Sequence, residues 1–75
     1  MPFIRMYIWS GKDQETKQKT AQALVDAASE ALGAPKSAFT VVFEEVDQAD
    51  WDAEVEEGLI GQLRDKIAIE NGELV

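Results

Sequence analysis

The chain of 75 residues contains neither cysteine nor histidine. That excludes disulfide staples, thiolate nucleophiles, imidazole bases, Cys/His zinc sites and haem ligation through either residue. A chain this short buries only about 60% of its unfolded surface, and without disulfides it needs another source of stability, so self-association is expected. Long apolar runs are missing too. Nothing approaches the roughly 20 residues of a membrane span, and the N-terminus lacks the charged start and apolar stretch of a signal peptide, so a cytoplasmic protein with no membrane partner is expected. Positive charge is also scarce, with 7 Lys and Arg against 15 Asp and Glu and a net charge of −8. Phosphate backbones are bound through Lys and Arg, so nucleic acid is not an expected partner.

The residues that are present read as one globular domain over 1–75. With 45% apolar and 29% charged residues the chain has enough hydrophobic content to fold, and it is too short for a second core. The run Pro2-Phe3-Ile4-Arg5-Met6-Tyr7-Ile8-Trp9 is aromatic and β-branched and stops at Ser10-Gly11, which predicts a strand from almost the first residue. Period-two alternation puts Pro2, Ile4, Met6 and Ile8 on a core face and Phe3, Arg5, Tyr7 and Trp9 on the other. The second face is too apolar for water and is expected to be covered by another subunit or to face an enclosed space. Arg5 on that face is a candidate for pairing between subunits or for substrate contact.

Asp13 as N-cap, Glu15 in the first turn and Ala21, Leu24, Val25, Ala28 and Leu32 at helical spacing predict a helix over about Asp13 to Leu32, closed by Gly33 and Pro35. A second strand follows at Phe39–Val46. Strand, helix and strand in that order make a βαβ unit with parallel strands. Two strands alone do not form a stable sheet, and two subunits joined into a four-stranded sheet would solve this. Trp51, Val55, Leu59, Leu63 and Ile67 then repeat every four residues, which predicts a helix near 50–68 that Gly58 and Gly61 would break in two. Asn71-Gly72 is read as a turn before a short mobile tail. The expected class is therefore α/β (α+β), a small βαβ domain with an added C-terminal helix.

Charge is uneven along the chain, +1 over residues 1–38 and −9 over 39–75. Eight of the acidic residues lie within 44–57. The run from Asp50 to Val55 lacks the glycine and the distal glutamate of a calcium loop, so no metal is assigned and the segment reads as a solvated face. A different reading makes the protein a non-catalytic dimeric interaction module that offers this segment to a basic partner.

Pro2 is the residue with the most chemical content. An initiator methionine before proline is normally trimmed, which leaves a free secondary amine, and an α-amino group titrating near 7.7–8.0 is well placed to act as a general base. The structural reading of the same residue is a proline at the first position of a strand, where its missing N–H is tolerated. Lys12, where strand gives way to helix, could hold a carboxylate beside the helix amides or stand solvated next to Asp13.

Pro2 opening a strand, Gly11-Lys12 where that strand gives way to a helix of about 20 residues, the loop Leu32-Gly33-Ala34-Pro35 and the strand Phe39-Thr40-Val41-Val42-Phe43-Glu44-Glu45 together resemble the 4-oxalocrotonate tautomerase family over about residues 2–51. The resemblance implies small βαβ subunits that dimerise, often further into hexamers, and that interconvert enol and keto forms of 2-oxo acids with no cofactor. It implies Pro2 as the catalytic base, Lys12 where the family often has an arginine for substrate, and Trp51 near the pocket's aromatic residue, although Trp51 also opens an apolar helical stripe. Thr40 occupies the place of a second substrate-binding arginine, which points to a monoacid such as an arylpyruvate. No Gly-Ile-Gly-Gly-like hairpin follows Trp51. The run Trp51-Asp52-Ala53-Glu54-Val55 instead is similar to phenylpyruvate-type members with a C-terminal helix, so a dimer is expected over a hexamer. The same resemblance leaves room for a hydratase or decarboxylase that uses the proline amine on a 3-carbon acid.

Overall fold

A computed structural model describes residues 1–75, and its contacts group the chain into two units, Met1–Glu45 and Val46–Val75. In the first, strand β1 (Phe3–Trp9) leads into helix α1 (Gln14–Leu32), a 3₁₀ turn (Lys36–Ala38) and strand β2 (Thr40–Val46). The two strands pair in parallel in a β-α-β arrangement. At the start of the pair the Thr40 N–H donates to the Pro2 carbonyl at 3.2 Å.

The helix boundaries are set by local chemistry. Asp13 is extended and its carboxylate accepts the Thr16 N–H at 2.8 Å, which satisfies one of the amides that a helix start leaves unbonded. At the other end Gly33 turns left-handed, φ 69°, and its N–H reaches the Ser29 carbonyl at 2.9 Å, with Pro35 close behind to prevent continuation. Strand alternation divides the sheet. Met6 and Ile8 of β1 and Val41 and Phe43 of β2 share cavity walls with α1, whereas Phe3 and Trp9 are 58% and 47% exposed. Arg5 lies with them, its guanidinium 5.9 Å from the Phe3 ring centre, within cation–π range.

The second unit departs from expectation twice. A helical segment is present, but it opens with a 3₁₀ turn (Gln48–Asp50) and continues as a π-helix (Asp52–Ile60), with a further 3₁₀ turn at Arg64–Lys66. The Gly61 N–H bonds the Glu56 carbonyl five residues back. Gly58 and Gly61 therefore widen the helix where they were expected to break it. A β-carbon on Gly58 would stand 3.1 Å from the Ala53 carbonyl oxygen, tighter than side chains normally tolerate, so only glycine fits the widened turn without adjustment. An apolar stripe with a period of four drifts around an α-helix of 3.6 residues per turn, and i→i−5 bonding returns it toward line. Val55, in the middle of the stripe, is 6% exposed and is the most deeply buried side chain of the chain.

The second departure is the tail. Residues 69–74 form a hairpin, β3 (Ile69–Glu70) against β4 (Glu73–Leu74), antiparallel with Ile69 opposite Leu74 and Glu70 opposite Glu73. Asn71 and Gly72 both have positive φ, 53° and 82°, the signature of the two-residue turn that joins tightly twisted strands. The two glutamates face each other at a cost. Arg64 offsets it by donating to Glu70 at 2.6 Å. This hairpin lies at 69–74 around Asn71-Gly72 and is not the Gly-Ile-Gly-Gly-like hairpin that was expected to be missing after Trp51. No helix is long and apolar enough to cross a membrane, and no three carboxylates converge as metal ligands would.

With one side chain buried and Phe3 and Trp9 open, the isolated subunit gains little of the roughly 25 cal/mol per Å² that apolar burial supplies. Replacing Trp9 by Glu is expected to shift sedimentation or light scattering toward monomer at concentrations where the parent associates. The exposed helix change Ala27→Lys should leave association unaltered.

Candidate active site

Of the four residues singled out from the sequence, Pro2, Lys12 and Thr40 lie in the first unit and Trp51 in the second. Pro2 precedes β1, half-buried, with its carbonyl tied to the Thr40 N–H, so the structure does bring Pro2 and Thr40 together at one end of the parallel pair. Met1 before them is 98% exposed. Removing it disturbs no packing, and the Pro2 nitrogen it uncovers belongs to a residue already held by its carbonyl.

Lys12 lies at the opposite end. The seven residues of β1 hold it roughly 20 Å from Pro2, at about 3.3 Å per residue, farther than any small 2-oxo acid spans. Its surroundings suit an anion. Lys17, Lys19 and Lys36 are spent on Glu45, Glu15 and Asp26 at 3.3, 3.5 and 2.8 Å, whereas Lys12 is exposed and makes no ion pair within 4.0 Å. The helix start contributes less than its position suggested. Thr16 bonds the Asp13 carboxylate, through its side chain first and then its backbone N–H, and holds that carboxyl below its ordinary pKa of 3.8. Asp13 is thereby kept ionised, and its charge occupies the helix start that an incoming carboxylate would otherwise use. Lys12 thus stands as an exposed cation without an ion pair at this end of β1.

Beside Lys12 a cavity of about 200 Å³ opens between sheet and helix. Met6, Ile8 and Phe43 form its apolar walls, and Thr16, Lys17 and Thr20 of α1 complete it. Thr20 donates its hydroxyl proton to the Thr16 carbonyl at 2.8 Å, so its one donor is already used. Sequence reading assigned Met6 and Ile8 to the core and did not place Thr16 or Thr20 in any site. Their spacing, i to i+4 on the helix opposite alternate β1 positions, was the signal that could have found them.

Trp51 belongs to the second unit, half-buried at the head of the stripe that continues through Val55. The acidic residues from Asp47 to Glu57 surround that stripe in sequence and stand mostly exposed, as a solvated face does.

A model of the tautomerase enzyme family matches residues 2–57. The chain is similar to a probable tautomerase of Ralstonia nicotianae, 35% identical over 51 residues, which is 68% of this chain and 73% of that protein. No solved structure matches it.

If Lys12 holds a carboxylate, Lys12→Ala raises the KM for an enolised arylpyruvate and costs about 1.5–3 kcal/mol in kcat/KM, the usual worth of a charged hydrogen bond. A neutral ester of the same compound should barely respond. Equal losses for acid and ester would assign Lys12 a structural role.

Proposed function

The chain belongs to the tautomerase enzyme family, which supports an isomerase, and from that premise we propose that it interconverts the enol and keto forms of an arylpyruvate-like 2-oxo acid, with the amine of Pro2 as general base. The observation that carries this reading is the contrast at the chain start. Met1 is unsupported, while Pro2 is fixed by its hydrogen bond to Thr40.

In the proposed reaction the Pro2 nitrogen takes the proton of the enol hydroxyl and leaves an enolate. The protonated amine returns a proton to the carbon beside the carbonyl, which completes the ketone, and the reverse sequence forms the enol. One base serves both steps, atoms and charge balance, and no cofactor enters. Lys12 binds the carboxylate and stabilises the negative charge that develops on the neighbouring oxygen, where a fixed cation contributes most.

Because a single strand separates Pro2 from Lys12, the site in this proposal is composed by two copies. Two β1 strands placed antiparallel, edge to edge, would bring the Pro2 end of one against the Lys12 end of the other and give the four-stranded sheet. Pro2 and the cavity residues Met6 and Ile8 share a strand parity, so the amine of one copy would lie on the same sheet face as the other's cavity. A single available cation and Thr40 beside Pro2 favour a monoacid over a dicarboxylate.

The test is N-terminal. Protein without Met1 should speed ketonisation of an enolised arylpyruvate, followed by ultraviolet absorbance, with a rate that rises with pH through roughly 6–8 as the amine loses its proton. Protein whose Pro2 nitrogen is still acylated by Met1 should be inactive. Equal rates from the two forms would remove Pro2 as the base and favour an acidic interaction module.

A further inference from the structure

Asparagine occurs once in the chain, at position 71, and glycine follows it. That pair is chemically reactive as well as turn-forming. An asparagine carboxamide can be reached by the backbone nitrogen of the next residue, and a glycine there has no β-carbon to obstruct the approach. The fold leaves the pair accessible. Asn71 and Gly72 are both exposed at the tip of the hairpin, and no side-chain hydrogen bond engages the Asn71 carboxamide. They are the central residues of the turn, so the pairing of Glu70 with Glu73 passes them by, and the Gly72 N–H donates to no backbone carbonyl.

Closing a ring between carboxamide and backbone needs a backbone angle different from that of the paired turn, so the hairpin must open first. Little opposes that. Each strand has two residues, and a two-stranded hairpin alone is marginal in water. Its apolar pair, Ile69 and Leu74, remains 59% and 83% exposed, and Glu70 faces a like charge in Glu73, which disfavours the pairing. What holds the hairpin is the surface ion pair of Arg64 with Glu70 at 2.6 Å, a kind of contact that contributes little, and the Val75 N–H bonded to the Ala68 carbonyl at 3.1 Å.

We propose that Asn71 is a site of spontaneous covalent modification, converted through a cyclic imide to aspartate and isoaspartate. The Gly72 nitrogen bonds to the Asn71 Cγ, the bond from Cγ to Nδ2 breaks, and the carboxamide nitrogen leaves as ammonia, carrying the proton that Gly72 gave up. Water then opens the ring at one of its two carbonyls. No oxidant or cofactor enters, and each conversion adds one negative charge at neutral pH. Isoaspartate also routes the backbone through the side-chain methylene, which lengthens the two-residue turn and breaks the register of Ile69 with Leu74. Aspartate places carboxylates at 70, 71 and 73 around the single Arg64. Either product loosens the hairpin, so the modification is an irreversible, time-dependent release of residues 69–74. The inference is independent of the enzymatic reading.

The test ages the full chain in neutral and in mildly alkaline buffer beside a free peptide of residues 66–75, with products mapped by mass spectrometry and an isoaspartyl methyltransferase assay. Because the hairpin opens readily, position 71 of the protein is expected to convert at a rate within about tenfold of the peptide's. The rate should rise with pH, since attack needs a deprotonated amide, and isoaspartate should be among the products. Gly72→Ala should slow conversion by about tenfold or more, although a side chain at φ 82° loosens the hairpin. Arg64→Gln should speed it by about twofold, through loss of the ion pair. Exchange of the Val75 amide proton should accelerate in the aged protein and in Asn71→Asp. A protein that converts more than about tenfold slower than the peptide would show that the folded turn protects Asn71, and the proposal is overturned. Conversion to aspartate alone would overturn the cyclic step, because direct hydrolysis yields no isoaspartate. Unaltered Val75 exchange after conversion would overturn the release of the hairpin.

Discussion

An extended chain advances about 3.3 Å per residue, and in this protein that rise separates the two residues to which our proposal assigns the chemistry. Pro2 and Lys12 bracket β1, so no small substrate can reach both within one subunit. The same strand exposes Phe3 and Trp9 on its outer face, and only Val55 of the chain is buried. Stability and chemistry thus make the same demand in our account, since a second copy would cover the apolar face and would also supply the missing half of the site.

Much of the first unit was legible because each boundary has a local cause. Asp13 caps α1 through Thr16, Gly33 ends it in a left-handed turn, and strict alternation in β1 separates Met6 and Ile8 from Phe3 and Trp9. The second unit was read less well, for two physical reasons. Glycine in a helical stripe was weighed only as a helix breaker, whereas at Gly58 and Gly61 the missing side chain admits an i→i−5 turn that an apolar period of four accommodates. Asn71-Gly72 was read as a turn without its consequence, that two positive-φ residues join strands into a hairpin. At the candidate site, the separation of Pro2 and Lys12 was not weighed, because a strand's length enters only when its two ends are asked to meet.

Electrostatics shape what kind of substrate fits. A net charge of −8 repels anions at long range, so the proposed binding of a carboxylate rests on contact with one cation. Three of the four lysines in the first unit form ion pairs with neighbours, whereas Lys12 forms none within 4.0 Å and acts only through its field on the ionised Asp13 cap beside it. That pattern favours a single carboxylate held at short range. It gives no advantage to a dicarboxylate.

The central claim, that the site is shared between copies, is tested most directly by complementation. One preparation carries Lys12→Ala with a free Pro2 amine, and the other keeps Lys12 but has its Pro2 nitrogen blocked by Met1. Each is expected to be nearly inactive alone, and mixing them under conditions of subunit exchange, verified by native mass spectrometry, should restore enol ketonisation, because a mixed pair contains one site with both groups. Mixed oligomers that form but stay inactive would contradict the account.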